Sequence, residues 1–274
     1  MNCSLLALDL DGTVLDGRRH LLAGIAQSVA SAQERGVQVV LCSGRMVCSV
    51  EPFWRELGLD SPIIGYNGAY VRQPATGGVI FYEPVPLDLT LEVVRLAKTR
   101  RLHLNTYMDD ELWVAERNDY VRRYETSYGV QAKAVGDLER AVSQPSTKLL
   151  LVVEPADIDR IAQELAERYR GRLFVTQSED IHVELLNPRA NKGAALAAVA
   201  KKLGLKAGDV VAVGDGINDI EMIRWAGAGV AVAHAKPQLQ AEADLVLAPD
   251  PQALTTFLDS LRPQRIDSRP ATQR

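Results

Sequence analysis

The sequence predicts an α/β protein: a doubly wound, Rossmann-like parallel sheet core with an inserted α+β cap. Three observations predict it. Short apolar runs alternate with helical segments at both ends of the chain, the mark of a parallel sheet with helices on its faces. Several of these runs stop at a polar, glycine-containing loop. Between the two ends the pattern changes to hairpin-like pairs of runs mixed with helices, as in a largely antiparallel sheet. A length of 274 residues suits two domains at about 150 residues each.

In order, residues 5–8 are a buried strand ending in Asp9-Leu10-Asp11-Gly12-Thr13. Residues 22–35 have helical periodicity and stop at Gly36, the usual place for a left-handed cap. Residues 37–42 form a second strand, followed by Ser43-Gly44-Arg45. A helix over 46–57 is closed by Gly58, and Ile63-Ile64 opens a third strand that leads to Asn67-Gly68. Glu83-Pro84-Val85-Pro86 marks a boundary. Beyond it the pattern predicts a helix over 89–98, strands over 102–107 and 112–115, a strand over 148–153, a helix over 157–169, and strands over 173–176 and 182–186. The alternation resumes at Asn187-Pro188. It gives a helix over 192–203, a strand over 209–213 ending in Gly214-Asp215-Gly216, a helix over 217–225, a strand over 229–232 and a helix over 253–261. The expected domains are a core from 1–83 and 188–262, an insert over 84–187 and a disordered polar tail over 263–274.

Composition removes several function classes. Hydrophobic residues are 47% and charged residues 24%, ordinary for a soluble protein. Lys plus Arg is 31 against 35 for Asp plus Glu, a net charge of −4, so no nucleic-acid partner is expected. No apolar run approaches the ~20 residues of a membrane span. The N-terminus reaches acidic residues too early for a signal peptide, so a cytoplasmic protein with no membrane partner is expected. Cys3, Cys42 and Cys48 are odd in number and unlike any zinc spacing, which points to a reducing compartment without a structural metal.

Four segments carry chemistry: Asp9-Leu10-Asp11-Gly12-Thr13, Ser43-Gly44-Arg45, Lys192, and Gly214-Asp215-Gly216-Ile217-Asn218-Asp219. All but Lys192 follow a buried strand, and loops at the carboxyl ends of parallel strands share one edge. Lys192 opens a helix and can face that edge. Asp9, Asp11 and Asp215 in one small space repel each other, and a hard divalent cation held by oxygens alone, Mg²⁺ rather than zinc, relieves this. Ser43 and neighbouring backbone N–H groups can bind phosphate oxygens, and Lys192 offers a point charge. Phosphoryl transfer asks for little more than an in-line nucleophile, charge neutralisation and a proton donor. An Asp can be the nucleophile, and a second Asp two residues on can be the acid and base.

These ordered motifs resemble those of the haloacid dehalogenase superfamily, and the position of the insert is similar to its Cof-type phosphatase branch with a large α/β cap. The resemblance covers nearly the whole chain except the tail. It implies that Asp9 is the nucleophile and a metal ligand, and that Asp11 is the acid/base with its backbone carbonyl on the metal. It implies further that Asp215 ligates the metal and Asp219 supports it, that Ser43 and Lys192 hold the phosphoryl group with Gly44 exposing backbone N–H groups, and that Asn218 contacts phosphate or positions Lys192. The family commonly has Thr where Ser43 stands. It often has Gly-Asn-Ala after the last strand, where this chain has Ala233-His234-Ala235.

The expected activity is therefore a Mg²⁺-dependent hydrolysis of a small phosphate ester through an aspartyl-phosphate. A phosphotransferase or mutase on the same scaffold and a non-catalytic phosphometabolite binder are the alternatives. Asn105, Tyr107 and Glu184 of the insert are the candidate contacts to the leaving group. Arg45 divides evenly between a site role and a structural pairing, and His234 is a weak candidate for the rim. His20, His103 and His182 read as surface or cap residues, and Asp109-Asp110-Glu111 as a charged hairpin turn. Gly214-x-Gly216 lacks the third glycine of a dinucleotide fingerprint, because Asp219 occupies its place. With no long heptad, the sequence leaves monomer and homodimer both open.

Overall fold

The first apolar run forms β1 (Leu5–Asp9), buried at every position. It lies between two parallel neighbours, which is why it is apolar on both faces rather than alternating. In this computed structural model the described residues are 1–178 and 180–263, so the expected disorder from 264 onward lies outside them. After β1 come α1 (Ile25–Glu34), β2 (Gln38–Cys42), α2 (Val47–Glu56), β3 (Ile63–Gly65), β4 (Tyr70–Arg72) and β5 (Val79–Tyr82).

The next segment contains α3 (Leu87–Arg100), β6 (His103–Met108), β7 (Glu111–Val114), α4 (Asp119–Tyr128), β8 (Ala132–Ala134), α5 (Leu138–Ala141), β9 (Lys148–Val152), α6 (Ile158–Arg168), β10 (Phe174–Gln177) and β11 (His182–Leu186). The chain closes with α7 (Lys192–Lys202), β12 (Val210–Gly214), α8 (Ile220–Trp225), β13 (Ala228–Ala231), α9 (Pro237–Gln240), β14 (Leu245–Val246) and α10 (Ala253–Ser260).

Two sheets result. The first has the order β14-β13-β12-β1-β2-β3-β4-β5. Its pairs are parallel from β14 to β3, and the β4–β5 hairpin extends it antiparallel. The sequence reading did not anticipate that hairpin, because its strands are short and only partly buried. The second sheet has the order β10-β11-β9-β6-β7-β8 and is antiparallel except for β7–β8. No helix among the described residues is long and apolar enough to cross a membrane.

The second sheet is covered on both faces, and the period-two alternation of β9 shows how. Leu149 and Leu151 pack with α3 and α6, among Val93, Leu165 and Leu185. Leu150 points the other way, into a cluster with Tyr107, Tyr124 and Leu186 that also contains Met46, Tyr66 and Ala69 of the first module. Tyr124 belongs to α4, a helix the sequence reading missed. The helix is strongly polar and its buried stripe rests on tyrosines, so the apolar count was low. Its boundary signals were present: Asn118 caps the N-terminus by accepting from the Val121 N–H, and Gly129 closes it at φ 64°.

The two modules also touch elsewhere, including the two places that follow. Where the chain crosses between them, Asn187 donates to the Pro84 carbonyl at 2.9 Å and Arg189 pairs with Glu83 at 2.7 Å. The β6–β7 turn is not merely a charged hairpin. The Asp110 carboxylate accepts from the Val47 and Cys48 N–H groups at 3.0 and 2.8 Å, and from the Tyr66 hydroxyl at 2.8 Å. It thereby caps α2 from the other module, with the helix dipole in its favour. Asp110→Ala leaves all three donors without their acceptor and is expected to lower stability by about 1–3 kcal/mol in urea unfolding.

Candidate active site

Asp9 ends β1, Ser43-Gly44-Arg45 follows β2, Asn67-Gly68 follows β3, and Asp215 follows β12. All therefore stand at the carboxyl edge of the parallel strands, where ligands bind in such sheets. Lys192 reaches the same edge as the first residue of α7, whose N-terminus is capped by Asn191 accepting from the Ala194 N–H. Close packing fixes that start. Gly68 has φ 90°, and a Cβ there would stand 2.2 Å from the Asn191 carbonyl oxygen.

At the centre is a buried ion cluster. Lys192 Nζ donates to Asp9 Oδ1 at 2.6 Å and to Asp219 Oδ1 at 2.5 Å. Asp219 Oδ2 accepts from the N–H groups of Asp215 and Gly216 at 3.0 and 2.9 Å. Asp9 Oδ2 is buried with no hydrogen-bond partner among the described residues. Oxygens of Asp9, Asp215 and Asp219 lie within 4.8 Å of one another. An all-oxygen donor set with one orphaned, buried carboxylate oxygen fits a hard divalent cation.

The electrostatics follow from burial. Desolvation, with Asp219 and Asp215 beside it, pushes the Asp9 carboxyl well above the usual carboxylate range, against the pull of Lys192. Burial also raises Asp215, with Asp219 adding to it. Burial works against the charge on Lys192, but Asp219 and Asp9 outweigh it and hold the ammonium above its ordinary value. The cluster carries one cation for three carboxylates.

Asp11 takes a different partner. Its carboxylate is gripped from both sides by Arg45, with Nε donating to Oδ2 at 2.7 Å and Nη2 to Oδ1. Arg45 is itself buried, with its guanidinium 5.4 Å from the ring centres of Phe53 and Tyr128. Its structural pairing is thus with a residue of the site. His234 Nε2 donates to the Gly12 carbonyl at 2.7 Å.

Ser43 is buried, and its Oγ accepts from the Arg45 N–H at 3.2 Å. Asn218 donates from Nδ2 to Asn67 Oδ1 at 2.9 Å. Asn67 was not among the expected site residues, although the strand-edge rule that found the other loops applies equally to the one after β3. Tyr66 and Asn67 both sit in the left-handed region, at φ 53° and 55°. Such positions are costly for side-chain-bearing residues and collect at functional sites. The turn is held by the Tyr66 N–H donating to the Arg45 carbonyl at 2.8 Å and the Asn67 N–H donating to the Ser43 carbonyl at 3.0 Å.

A cleft of about 500 Å³ opens over these groups. Its floor includes Asp9, Asp11, Gly44 and Asp215, and its far wall is Tyr124, Tyr128, Lys148, Gln177, His182 and Glu184. Asn105 and Tyr107 do not line it. They are fully buried behind α4, where Asn105 Nδ2 donates to the Tyr107 hydroxyl at 3.3 Å and that hydroxyl meets the Tyr124 hydroxyl at 2.8 Å. The unseen helix explains the correction, because Tyr124 stands where those two side chains were expected to open. His182, a residue of β11 in the insert, is buried and also joins the wall. A larger cavity of about 700 Å³, between α3, β6 and the residues before α5, touches none of the carboxylates.

A family model of haloacid dehalogenase-like hydrolases matches residues 6–253. The chain belongs to that family. It is 28% identical over 258 residues to the pyridoxal phosphate phosphatase YbhA of Escherichia coli (strain K12), covering 90% of this chain and 94% of that one. It is 28% identical over 238 residues to the HMP-PP phosphatase of Escherichia coli O6:H1, covering 87% of each. Among solved structures it is similar to a haloacid dehalogenase-like hydrolase from Bacteroides thetaiotaomicron, with 25% identity, a TM-score of 0.86 and coverage of 94% and 99%. It also resembles TM0651 from Thermotoga maritima, with 27% identity, a TM-score of 0.83 and coverage of 94% and 97%.

Lys192→Met leaves Asp9 and Asp219 buried without their cation. Unfolding in chelator should show a loss of about 3–5 kcal/mol. An added divalent cation should recover part of it, because an ion that binds only the native state stabilises that state.

Proposed function

We propose that this protein is a Mg²⁺-dependent phosphomonoester hydrolase acting on a small phosphorylated metabolite, with Asp9 as nucleophile. The observation that carries the proposal is the setting of Asp9: one oxygen is pinned by Lys192, and the other is buried, without a partner among the described residues, and beside the cleft. Asp9 attacks phosphorus as the bond to the leaving oxygen breaks, and Asp11 gives that oxygen a proton. Water then attacks the aspartyl-phosphate, Asp11 takes its proton, and inorganic phosphate leaves. The grip of Arg45 suits the second step, in which Asp11 is a base.

Asp9, the Asp11 carbonyl and Asp215 would hold the Mg²⁺, with Asp219 behind them; when bound, the ion neutralises the carboxylates and polarises the phosphoryl oxygens. Ser43, Gly44, Lys192 and Asn218 bind the phosphoryl group. The insert over 84–187 acts as a cap that excludes bulk water and reads the leaving group through Tyr124, Gln177 and His182, polar side chains on the far wall. The pyridoxal phosphate and HMP-PP phosphatases among its relatives support a small metabolite as substrate, and such a substrate suits a cytoplasmic enzyme.

The test is phosphate release from pyridoxal phosphate, HMP-PP, sugar phosphates and nucleotides, with Mg²⁺ and with chelator. Free phosphate should accumulate only with the metal. Asp9→Asn should cut kcat on the order of 10³-fold or more, as removal of a nucleophile does. Transfer to an added sugar without free phosphate would place the protein among the transferases instead.

A further inference from the structure

Lys148 and Glu184 form an ion pair at 2.9 Å whose side chains are only 4% and 5% exposed. Both lie in the second sheet, and each also bonds to the first module. Lys148 Nζ also donates to the Gly44 carbonyl at 3.2 Å. Glu184 Oε2 accepts from Asn67 Nδ2 at 2.9 Å, while Oε1 also accepts from the Ser178 hydroxyl at 2.9 Å. Asn67 in turn supports Gly44 directly, since a Cβ on Gly44 would stand 2.7 Å from Asn67 Oδ1. Its N–H holds the Ser43 carbonyl, and its Oδ1 holds Asn218.

The bonds therefore close a ring from Ser43-Gly44 through Lys148, Glu184 and Asn67 back to Ser43. A buried ion pair is about neutral for stability against apolar residues of the same size, so net stability is weak grounds for its presence. With three donors on its two oxygens, Glu184 is also poorly placed to read a leaving group.

We infer that Lys148 and Glu184 are positioning residues: acting through Gly44 and Asn67, they hold the Ser43-Gly44 loop and Asn218 in register for the phosphoryl oxygens. The inference rests on the reading of this loop as the phosphate cradle. It makes phosphate binding depend on the second module whatever leaving group that module encloses. Displacing a binding loop by about 1 Å can cost on the order of 10²-fold.

The experiment measures binding of inorganic phosphate to the Mg²⁺-loaded protein by calorimetry, beside kcat/KM for three esters with unlike leaving groups. Lys148→Met should weaken phosphate binding about 10- to 100-fold and lower kcat/KM by one common factor for all three esters. Lys148→Arg, which keeps donors for both partners, should restore most of the loss. Because Lys148→Met leaves Glu184 buried without its cation, the double variant Lys148→Met with Glu184→Leu is the deciding one. It should melt near the wild-type temperature and still bind phosphate weakly.

Recovery of phosphate affinity together with melting temperature would overturn the inference and make the pair purely structural. Losses that differ among the esters would also overturn it, because the pair would then read the leaving group. Failure of the wild type to bind phosphate would overturn it as well. If wild type binds phosphate but hydrolyses no ester, the hydrolase reading fails while the binding comparison still decides the role of the pair.

Discussion

Everything in the site is arranged around one electrostatic problem: three carboxylates, from Asp9, Asp215 and Asp219, share a small space with a single ammonium group. The backbone solves part of it. Asp219 spends one oxygen on Lys192 and the other on two N–H groups of its own loop, so its charge is well satisfied. Asp9 is satisfied on one side only. The fold thus leaves one buried oxygen of the Asp9 carboxyl without a partner among the described residues, at the carboxyl edge of its central strand.

The parallel core makes this storage possible. β1 is sheltered by strands on both sides and by helices on both faces, so Asp9 is drawn out of water by its position rather than by an added lid. Lys192 is delivered from sequence far away because α7 begins against the turn after β3, where Gly68 leaves room for the Asn191 carbonyl. The same turn carries Asn67 in a left-handed conformation. One short turn therefore sets the start of the lysine helix, supports the Ser43 loop and meets the second module.

The loops that build the candidate site were legible because each announces itself locally, as an apolar run that stops at Asp, Ser or Gly. The convergence of those loops follows from sheet topology alone. The far wall was not legible in the same way. Its residues sit on elements whose direction depends on tertiary packing, above all α4, a helix whose apolar stripe is built from tyrosines among charged residues. Missing that helix exposed Asn105 and Tyr107 on paper, whereas in the fold they lie beneath Tyr124. Asp110 shows the same limit. Its sequence reads as a solvated turn, and only its partner in the other module, the N-terminus of α2, gives it a role.

The crossings between modules have an evolutionary consequence. Both lie side by side, stapled by Asn187 on Pro84 and Arg189 on Glu83. An insertion that enters and leaves at one point need not disturb the strand order beneath it, so this junction is a natural place to exchange one recognition module for another. Such an exchange is less free than the junction alone implies. Any replacement must still present a donor to the Gly44 carbonyl and an acceptor to Asn67, or the host loop loses the partners that hold it.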